Sequence, residues 1–564
     1  MKKYGTLLIA AALMLVYFGS IWQRPLFLPD EFRYAEIPRE MIASGDWILP
    51  RQLGMPYFEK PVLGYWLNGI AELLFGESPA AVRFFPALAT LLTALWILLL
   101  CRRAGEPRTA AAAPLVFLTS ALVFAVGTYG VLDAPFVCFL TGAMTAAYFA
   151  WSEPVPRRRA GYLVLTGVGC GLAFLTKGAL AAVLPALCFL PFLLWQREGR
   201  RIFTFPWIPL LAAAAVAAPW AVAIHRADGD FWRQFLWVEH IQRAFSGEGA
   251  GDNRAQPFWF YLPVLIGGAM PWILLLPAMY AGCRGRFREM FRLPLIRFSA
   301  CAAGMWFLFF TASSGKLGTY ILPCFPFLAI LFGYALVRYG ERGVFSRANR
   351  ILEWIVRLLL PVPVALFLIQ TAAKFTDFIP PRLLPYERNS SFFLPVLALV
   401  LLLIWLRMAA RERNAEKKFL YFCVGFGFVM LAAHGSIPPR FVVRSIAPEL
   451  FLRTQAAPLI GEKTVLFCDA PLAAAAAWTL KRDDFTLFHK PGEFQYGLAR
   501  KENTHRRLST EELAGRIRRE PDTEFLVLTR SEKRMRELPR PTRLARMGRF
   551  LALHYHAETG ETAP

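Results

Sequence analysis

The stretch Phe84-Phe85-Pro86-Ala87-Leu88-Ala89-Thr90-Leu91-Leu92-Thr93-Ala94-Leu95-Trp96-Ile97-Leu98-Leu99-Leu100-Cys101 carries no charge and ends on Arg102-Arg103. About 18–20 consecutive apolar residues suffice to cross a bilayer as a helix. A basic pair directly behind such a run anchors it on the cytoplasmic side. Leu7 to Trp22 is a second block of the same kind, preceded by Lys2 and Lys3. The whole chain of 564 residues follows this pattern: 56% are hydrophobic, only 18% are charged, and the mean hydropathy is +0.41. Soluble domains average roughly 45–50% apolar and about 25% charged. One large soluble core is therefore excluded, and so is disorder, which requires low hydrophobicity.

Outward from Phe84 to Cys101, further apolar blocks lie at 80–101, 109–127, 131–151, 161–176, 178–196, 205–224, 258–281, 295–312, 319–337, 351–372, 392–407 and 418–435. With the N-terminal block they predict a polytopic α-helical membrane protein of about 13 transmembrane helices. No A-x-A-like cleavage site follows the first block, so it reads as an uncleaved span. Arginines gather in alternate loops: Arg102, Arg103 and Arg108; Arg157 to Arg159; Arg197, Arg200 and Arg201; Arg284 to Arg292; Arg338 to Arg347; and Arg407 to Lys418. That alternation is the positive-inside pattern, and it accounts for the net charge of +23 without nucleic acid. The nine cysteines show no CxxC spacing, and all but Cys468 sit in or beside apolar blocks. Neither a disulfide framework nor a zinc knuckle is expected.

An odd number of spans leaves the C-terminal tail outside the cytoplasm. The chain then divides into a membrane catalytic part, 1–436, with a long periplasmic first loop at 23–79, and a periplasmic α/β domain, 437–564. In the tail, Thr464 to Phe467, Phe485 to Phe488 and Glu524 to Leu528 read as strands, and Pro471 to Leu480 as a helix. A second helix opens at Ser509-Thr510-Glu511-Glu512, with a hydroxyl cap and acids in its first turn.

The first loop holds the most chemistry. It contains Pro29-Asp30-Glu31-Phe32-Arg33-Tyr34-Ala35-Glu36-Ile37-Pro38-Arg39-Glu40 and, further on, Pro56-Tyr57-Phe58-Glu59-Lys60-Pro61. Asp30 is placed either to cap a surface helix or to serve a site. Glu59 and Lys60 are either a surface ion pair or a place for a metal and a phosphate. Asp133, Lys177, Lys316 and Tyr320 recur at other outside ends, where ionisable groups near the bilayer are functional candidates. His240 and Arg243 lie in another outside stretch. No nucleotide-binding fingerprint is present. An outward site has no ready supply of nucleotide-activated donor, so a lipid-linked donor is expected, its leaving phosphate met by Lys60, Arg243 and Lys316.

The segment Pro29 to Trp66 resembles the first outside loop of the lipid A aminoarabinose transferases, membrane glycosyltransferases of the GT-C fold related to protein O-mannosyltransferases. The resemblance continues through Gly127 to Asp133, Thr176-Lys177-Gly178, Phe235 to Arg243, Pro257 to Tyr261, Gly315 to Leu322, Lys481 to Asp484 and Gly492 to Leu498. It lapses at Ser246 to Gln256 and at Arg440 to Pro448.

The resemblance implies transfer of 4-amino-4-deoxy-L-arabinose from undecaprenyl phosphate to a lipid A phosphate on the periplasmic face of the inner membrane. The consequence would be a less negative surface and resistance to cationic antimicrobial peptides. Asp30 and Asp133 match catalytic positions, Glu59 and His240 match ligands of a divalent, zinc-like metal, and Lys60 and Tyr320 match residues near the donor phosphate. Arg243 and Lys316 are added to the phosphate set as nearby cations. A monomer surrounded by membrane lipids is expected. Two alternatives stand beside this reading: the same fold acting on a protein or glycan hydroxyl, and a lipid carrier with a polar outside cavity.

Overall fold

The computed structural model describes residues 3–242, 256–342, 346–361, 365, 368–369, 371–372, 393–435 and 440–556. The chain enters through α1 (Lys3–Ser20), then forms a compact outside segment of α2 (Asp30–Ser44), a short hairpin of β1 (Arg51–Gln52) and β2 (Met55–Pro56), and α3 (Leu63–Phe75). The block at Phe84 to Cys101 lies within α4 (Pro79–Arg103), which begins with Ser78 capping Ala81 and a proline in its first turn.

Among the described residues, seven helices are long and apolar enough to cross a membrane, or nine if each of two bent pairs is one span. The protein is therefore a polytopic helical membrane protein. Several expected spans are shorter helices, such as Leu8–Ser20 and Leu180–Trp195. The span expected at 351–372 begins inside a helix, Ser346–Leu359, that buries Leu352 and Val356 but carries Arg350, Glu353 and Arg357. Its remainder runs into residues outside the described set.

The two bent pairs explain each other. Pro107–Leu118 and Ala121–Gly127 bend by 61°, and Phe258–Gly268 and Trp272–Cys283 by 86°. A helix break inside a membrane frees backbone groups that lipid cannot satisfy. Here the amide of Ala121 donates to the carbonyl of Met270 at 2.9 Å, and the Trp272 indole donates to Thr119 Oγ1 at 3.2 Å. Elsewhere close packing depends on small residues: a Cβ on Gly167 would lie 2.4 Å from the Pro209 carbonyl, and one on Gly171 2.7 Å from Val216.

The tail forms a six-stranded sheet in the order β5 (Arg507–Leu508), β4 (Thr486–Phe488), β3 (Val465–Asp469), β6 (Phe525–Thr529), β8 (Phe550–Tyr555) and β7 (Arg543–Met547). The first four are parallel and the last two form an antiparallel hairpin. Alternation along β3 sends Leu466 and Cys468 to the helix Ala470–Leu480, and Phe467 to the helix Thr510–Arg519 on the other face. The second helix opens with the capping box of Ser509 and Glu512. The three expected strands and two expected helices are all present; β5 and the C-terminal hairpin were not anticipated. The boundary expected between 436 and 437 falls outside the described residues.

Candidate active site

Glu31 holds the site together from below. It accepts from Arg24 Nη1 at 2.6 Å, Arg83 Nε at 2.6 Å, and the amides of Phe27 and Gly130, both at 2.9 Å. Burial opposes its charge, yet the Arg83 and Arg24 guanidiniums prevail and hold its carboxyl down at about 2. The bond to Gly130 ties the segment Gly127 to Asp133 onto the first loop. A Cβ on Gly130 would lie 2.6 Å from Val82, so only glycine allows this approach.

That fastening sets Asp30 and Asp133 each at the first position of a helix, α2 and Asp133–Ser152. The N-cap residues are Pro29 and Leu132, and the side chains of Asp30 and Asp133 bond to Arg33 and Lys177 rather than to a helix amide, so capping does not account for Asp30. Instead Asp30 accepts from Arg33 Nη1 at 3.1 Å, with its own side chain 31% exposed. Arg33, 7% exposed, also lies 4.0 Å from Glu59 and pairs with Glu493 from the tail. Burial weighs against the guanidinium, but Glu493, Tyr57, Glu59 and Asp30 keep it firmly charged. Arg33 thus faces three carboxylates, and burial pushes the Glu493 carboxyl up despite the Arg33 charge beside it.

Asp133 is paired with Lys177 at 2.7 Å, and the Lys177 ammonium lies 5.0 Å from the ring centre of Tyr320. The two carboxylate groups converge on Tyr34: burial, then Tyr65, and then Asp30 and Asp133 push its phenol well up, against Arg33. Asp30, Asp133, Glu59 and Tyr320 are therefore brought toward one region. Lys60 Nζ donates to the Glu59 carbonyl at 3.0 Å. Lys316 is buried, donating to the carbonyls of Ser313 at 2.5 Å and Gln256 at 3.2 Å. The side chain of His240 and the whole of Arg243 lie outside the described residues.

The described residues do not assemble a metal site. They contain no group of three His, Cys, Asp or Glu side chains suited to an ion, and Arg33 stands among the carboxylates. Sequence reasoning missed Arg33 as a site residue, although it falls one helical turn after Asp30. The sequence also gives Lys177 no role beyond that of an ionisable group at an outside end, and Glu493 stands there only as part of a resembling motif.

The tail reaches this site through that motif. Gly497 packs so closely on the hairpin that a Cβ there would lie 2.8 Å from Met55 Cβ. Tyr496 packs against Phe58 with the ring centres 4.9 Å apart and the planes tilted by 40°, Arg500 pairs with Asp228, and Arg506 donates to the Leu53 carbonyl at 2.6 Å. Glu40 in turn shapes the hairpin turn by accepting the amides of Leu53 and Gly54.

Residues 4–235 match the family model of dolichyl-phosphate-mannose-protein mannosyltransferase, and residues 443–554 that of the arabinosyl transferase ArnT C-terminal domain. The undecaprenyl phosphate-alpha-4-amino-4-deoxy-L-arabinose arabinosyl transferase of Edwardsiella ictaluri is 36% identical, the alignment covering 99% of this chain and 100% of that one. The chain belongs to this arabinosyl transferase family. A similarly named transferase of Pectobacterium carotovorum is 37% identical over 98% of this chain and 99% of its own. The crystal structure of ArnT from Cupriavidus metallidurans bound to undecaprenyl phosphate superposes with a TM-score of 0.78, at 23% identity and full coverage of both chains. The fold is therefore that of an arabinosyl transferase from end to end, as the first-loop resemblance implied.

Proposed function

We propose that this protein moves 4-amino-4-deoxy-L-arabinose from undecaprenyl phosphate to a phosphate of lipid A, on the periplasmic face of the inner membrane. The observation that carries the reading is the end-to-end kinship with transferases named for that donor. The three carboxylates grouped around Arg33 add support, because an amino sugar brings an ammonium that acidic side chains can hydrogen-bond.

In the proposed reaction a lipid A phosphate oxygen attacks the anomeric carbon, the bond from that carbon to the donor phosphate oxygen breaks, and undecaprenyl phosphate leaves. A phosphate monoester carries about 1.5 to 2 negative charges at neutral pH, so it needs no strong base. Asp30 and Asp133 are assigned to orienting the sugar and stabilising oxocarbenium-like charge. Lys60, Lys316 and Arg243 supply cations toward the departing phosphate, with the Tyr320 phenol as a donor. Lys177 holds and aims the Asp133 carboxylate through their 2.7 Å ion pair. The tail, read as the periplasmic domain 437–564, completes the acidic cluster through Glu493. A monomer suffices for all of this.

In the same reading Glu59 and His240 would hold a zinc-like divalent ion. His240→Ala should lower the metal bound to purified protein; unchanged content would remove the ion from the reading. The mannosyltransferase match over residues 4–235 favours a second reading, a hydroxyl acceptor. Mass spectrometry of lipid A from cells with and without the gene separates the two. An added aminopentose that depends on the gene is expected, and unchanged lipid A would favour the hydroxyl acceptor.

A further inference from the structure

Between Arg440 and Pro448, where the resemblance to the transferases lapses, the chain forms a short helix, Arg440–Ile446. The last carbonyls of a helix have no partner within it and must find donors elsewhere. Here each finds one. Val443 accepts from the Ala447 amide at 2.8 Å, Arg444 from the Arg549 amide at 3.3 Å, Ser445 from Arg530 Nη2 at 2.7 Å, and Ile446 from the Leu28 amide at 2.8 Å. A guanidinium suits this end, because the helix dipole places negative charge there. The tail sheet thus supplies donors through Arg530 and Arg549, and the membrane part supplies one through Leu28. Leu28 leads directly into Pro29 and Asp30. The helix end is therefore a clasp, with the tail sheet on one side and the Asp30 segment on the other.

Arg530 is itself tied down by the sheet. It follows β6, and its amide donates at 2.9 Å to Asp469 Oδ2 at the end of β3, the neighbouring parallel strand. The same oxygen accepts from Thr529 Oγ1 at 2.8 Å and from Arg534 Nη1 at 3.1 Å, and Asp469 is buried. Asp469 stands at the N-cap of the helix Ala470–Leu480 yet makes no side-chain capping bond there, so its carboxylate serves the Arg530 turn instead. The Arg530 guanidinium also lies 5.9 Å from the centre of the Phe550 ring, which stacks at 5.8 Å on Phe451. Glu493, the partner of Arg33, follows β4 at the same carboxyl edge of the parallel strands. That edge is where open α/β sheets present their functional loops. Two of its loops hold the start of α2: Glu493 takes Arg33, one turn after Asp30, and Arg530 acts on the residues just before it.

We propose that Arg530 is a positioning residue for sugar transfer: by holding the Ser445 carbonyl it fixes the Ile446 carbonyl that receives the Leu28 amide, and so sets where the Asp30 carboxylate stands. This role rests on the assignment of Asp30 to the transfer reaction, and two measurements on the full-length protein in detergent keep the two apart. The first is hydrogen–deuterium exchange. Arg530→Ala should speed exchange at the Leu28 amide about tenfold while β3 and β6 keep their protection. Unchanged exchange at Leu28, or lost protection throughout the tail sheet, overturns positioning; if Arg530→Ala does not accumulate, Arg530→Gln is measured in the same way. Exchange needs no substrate, so it decides the clasp even if the wild type transfers no aminoarabinose, a result that would overturn the proposed function instead. The second is transfer kinetics with the undecaprenyl phosphate-linked donor and lipid A. Arg530→Ala should lower kcat about tenfold with the donor KM unchanged, and Arg530→Lys, which keeps a charged donor for the same carbonyl, should recover most of the loss. Arg536→Gln, on an exposed arginine of the next helix, should match the wild type. In an Asp30→Asn background Arg530→Ala should cost less than about a further twofold, because residues that act through one another do not add. A full tenfold loss in that background, no recovery by Arg530→Lys, or an equal loss in Arg536→Gln overturns the role.

Discussion

Asp30 and Glu31 are neighbours with opposite fates. Asp30 faces the site and is partly exposed, whereas Glu31 is wholly buried under two guanidiniums. Asp30→Asn should reach the membrane at normal levels but slow sugar transfer roughly a hundredfold or more, the effect of about 3–4 kcal/mol of lost transition-state stabilisation. Near-normal transfer would move the catalytic assignment to Asp133. Glu31→Gln should instead fail to fold or accumulate, because unpairing buried charges costs about 3–5 kcal/mol. The Glu31 contribution is fully present above the ordinary 4.5 and is lost as pH falls from there toward about 2. Glu72 behaves in the reverse sense. Neither of its oxygens meets a hydrogen-bond partner among the described residues, and burial, with Glu77 and Glu36 adding, lifts its carboxyl to about 9. The folded state then holds a proton the unfolded state has released, so stability falls as pH rises between 4.5 and about 9. Thermal unfolding across that window should show a smaller decline in Glu72→Gln than in the wild type.

At the scale of elements, the outside hairpin and the tail form one joint. Glu40 fixes the hairpin turn, and Gly497 and Arg506 seat the tail upon it. Any side chain at Gly497 meets Met55 and the Pro56 carbonyl, a β-carbon lying 2.8 and 3.2 Å from them. Gly497→Val should therefore loosen the tail from the membrane part, seen as faster proteolytic release of the tail and a drop in transfer. The face of the tail sheet around Phe467 and Leu513 should survive, because its core contains no hairpin residue, whereas the face around Leu466 shares its core with Leu53 and Met55. Unchanged proteolysis would mean that the hairpin yields instead.

For the whole molecule, the alternating arginine loops predict a single orientation. Arg158→Cys and Glu462→Cys introduce thiols at two exposed positions, one in an arginine loop and one in the tail. The native cysteines are buried apart from Cys170, which is partly so. Membrane-impermeant labelling should reach the two new thiols from opposite sides. Labelling of both from one side would break the proposed topology, and with it the periplasmic placement of Asp30 and the tail.

Hydropathy, loop charge and short-range periodicity are sums over neighbouring residues. The polytopic helical character, the strands β3, β4 and β6, and the capping box at Ser509 were therefore legible in the sequence. So was the first-loop segment, since Asp30 and Arg33 fall within a turn of the same helix. The number of spans was less legible, because the two breaks are stabilised by bonds to each other rather than by local sequence. The division of labour between Asp30 and Glu31 was not legible at all: it rests on Arg83, Arg24 and Gly130 arriving from other elements. Likewise Arg33 meets Glu493 across 460 positions, and Asp133 meets Lys177 across 44. Sequence alone determined that the chain is a polytopic helical membrane protein, because transfer free energy is local. Only the tertiary structure decided which charges neutralise one another, because Coulomb pairing depends on distances in space that chain separation does not encode.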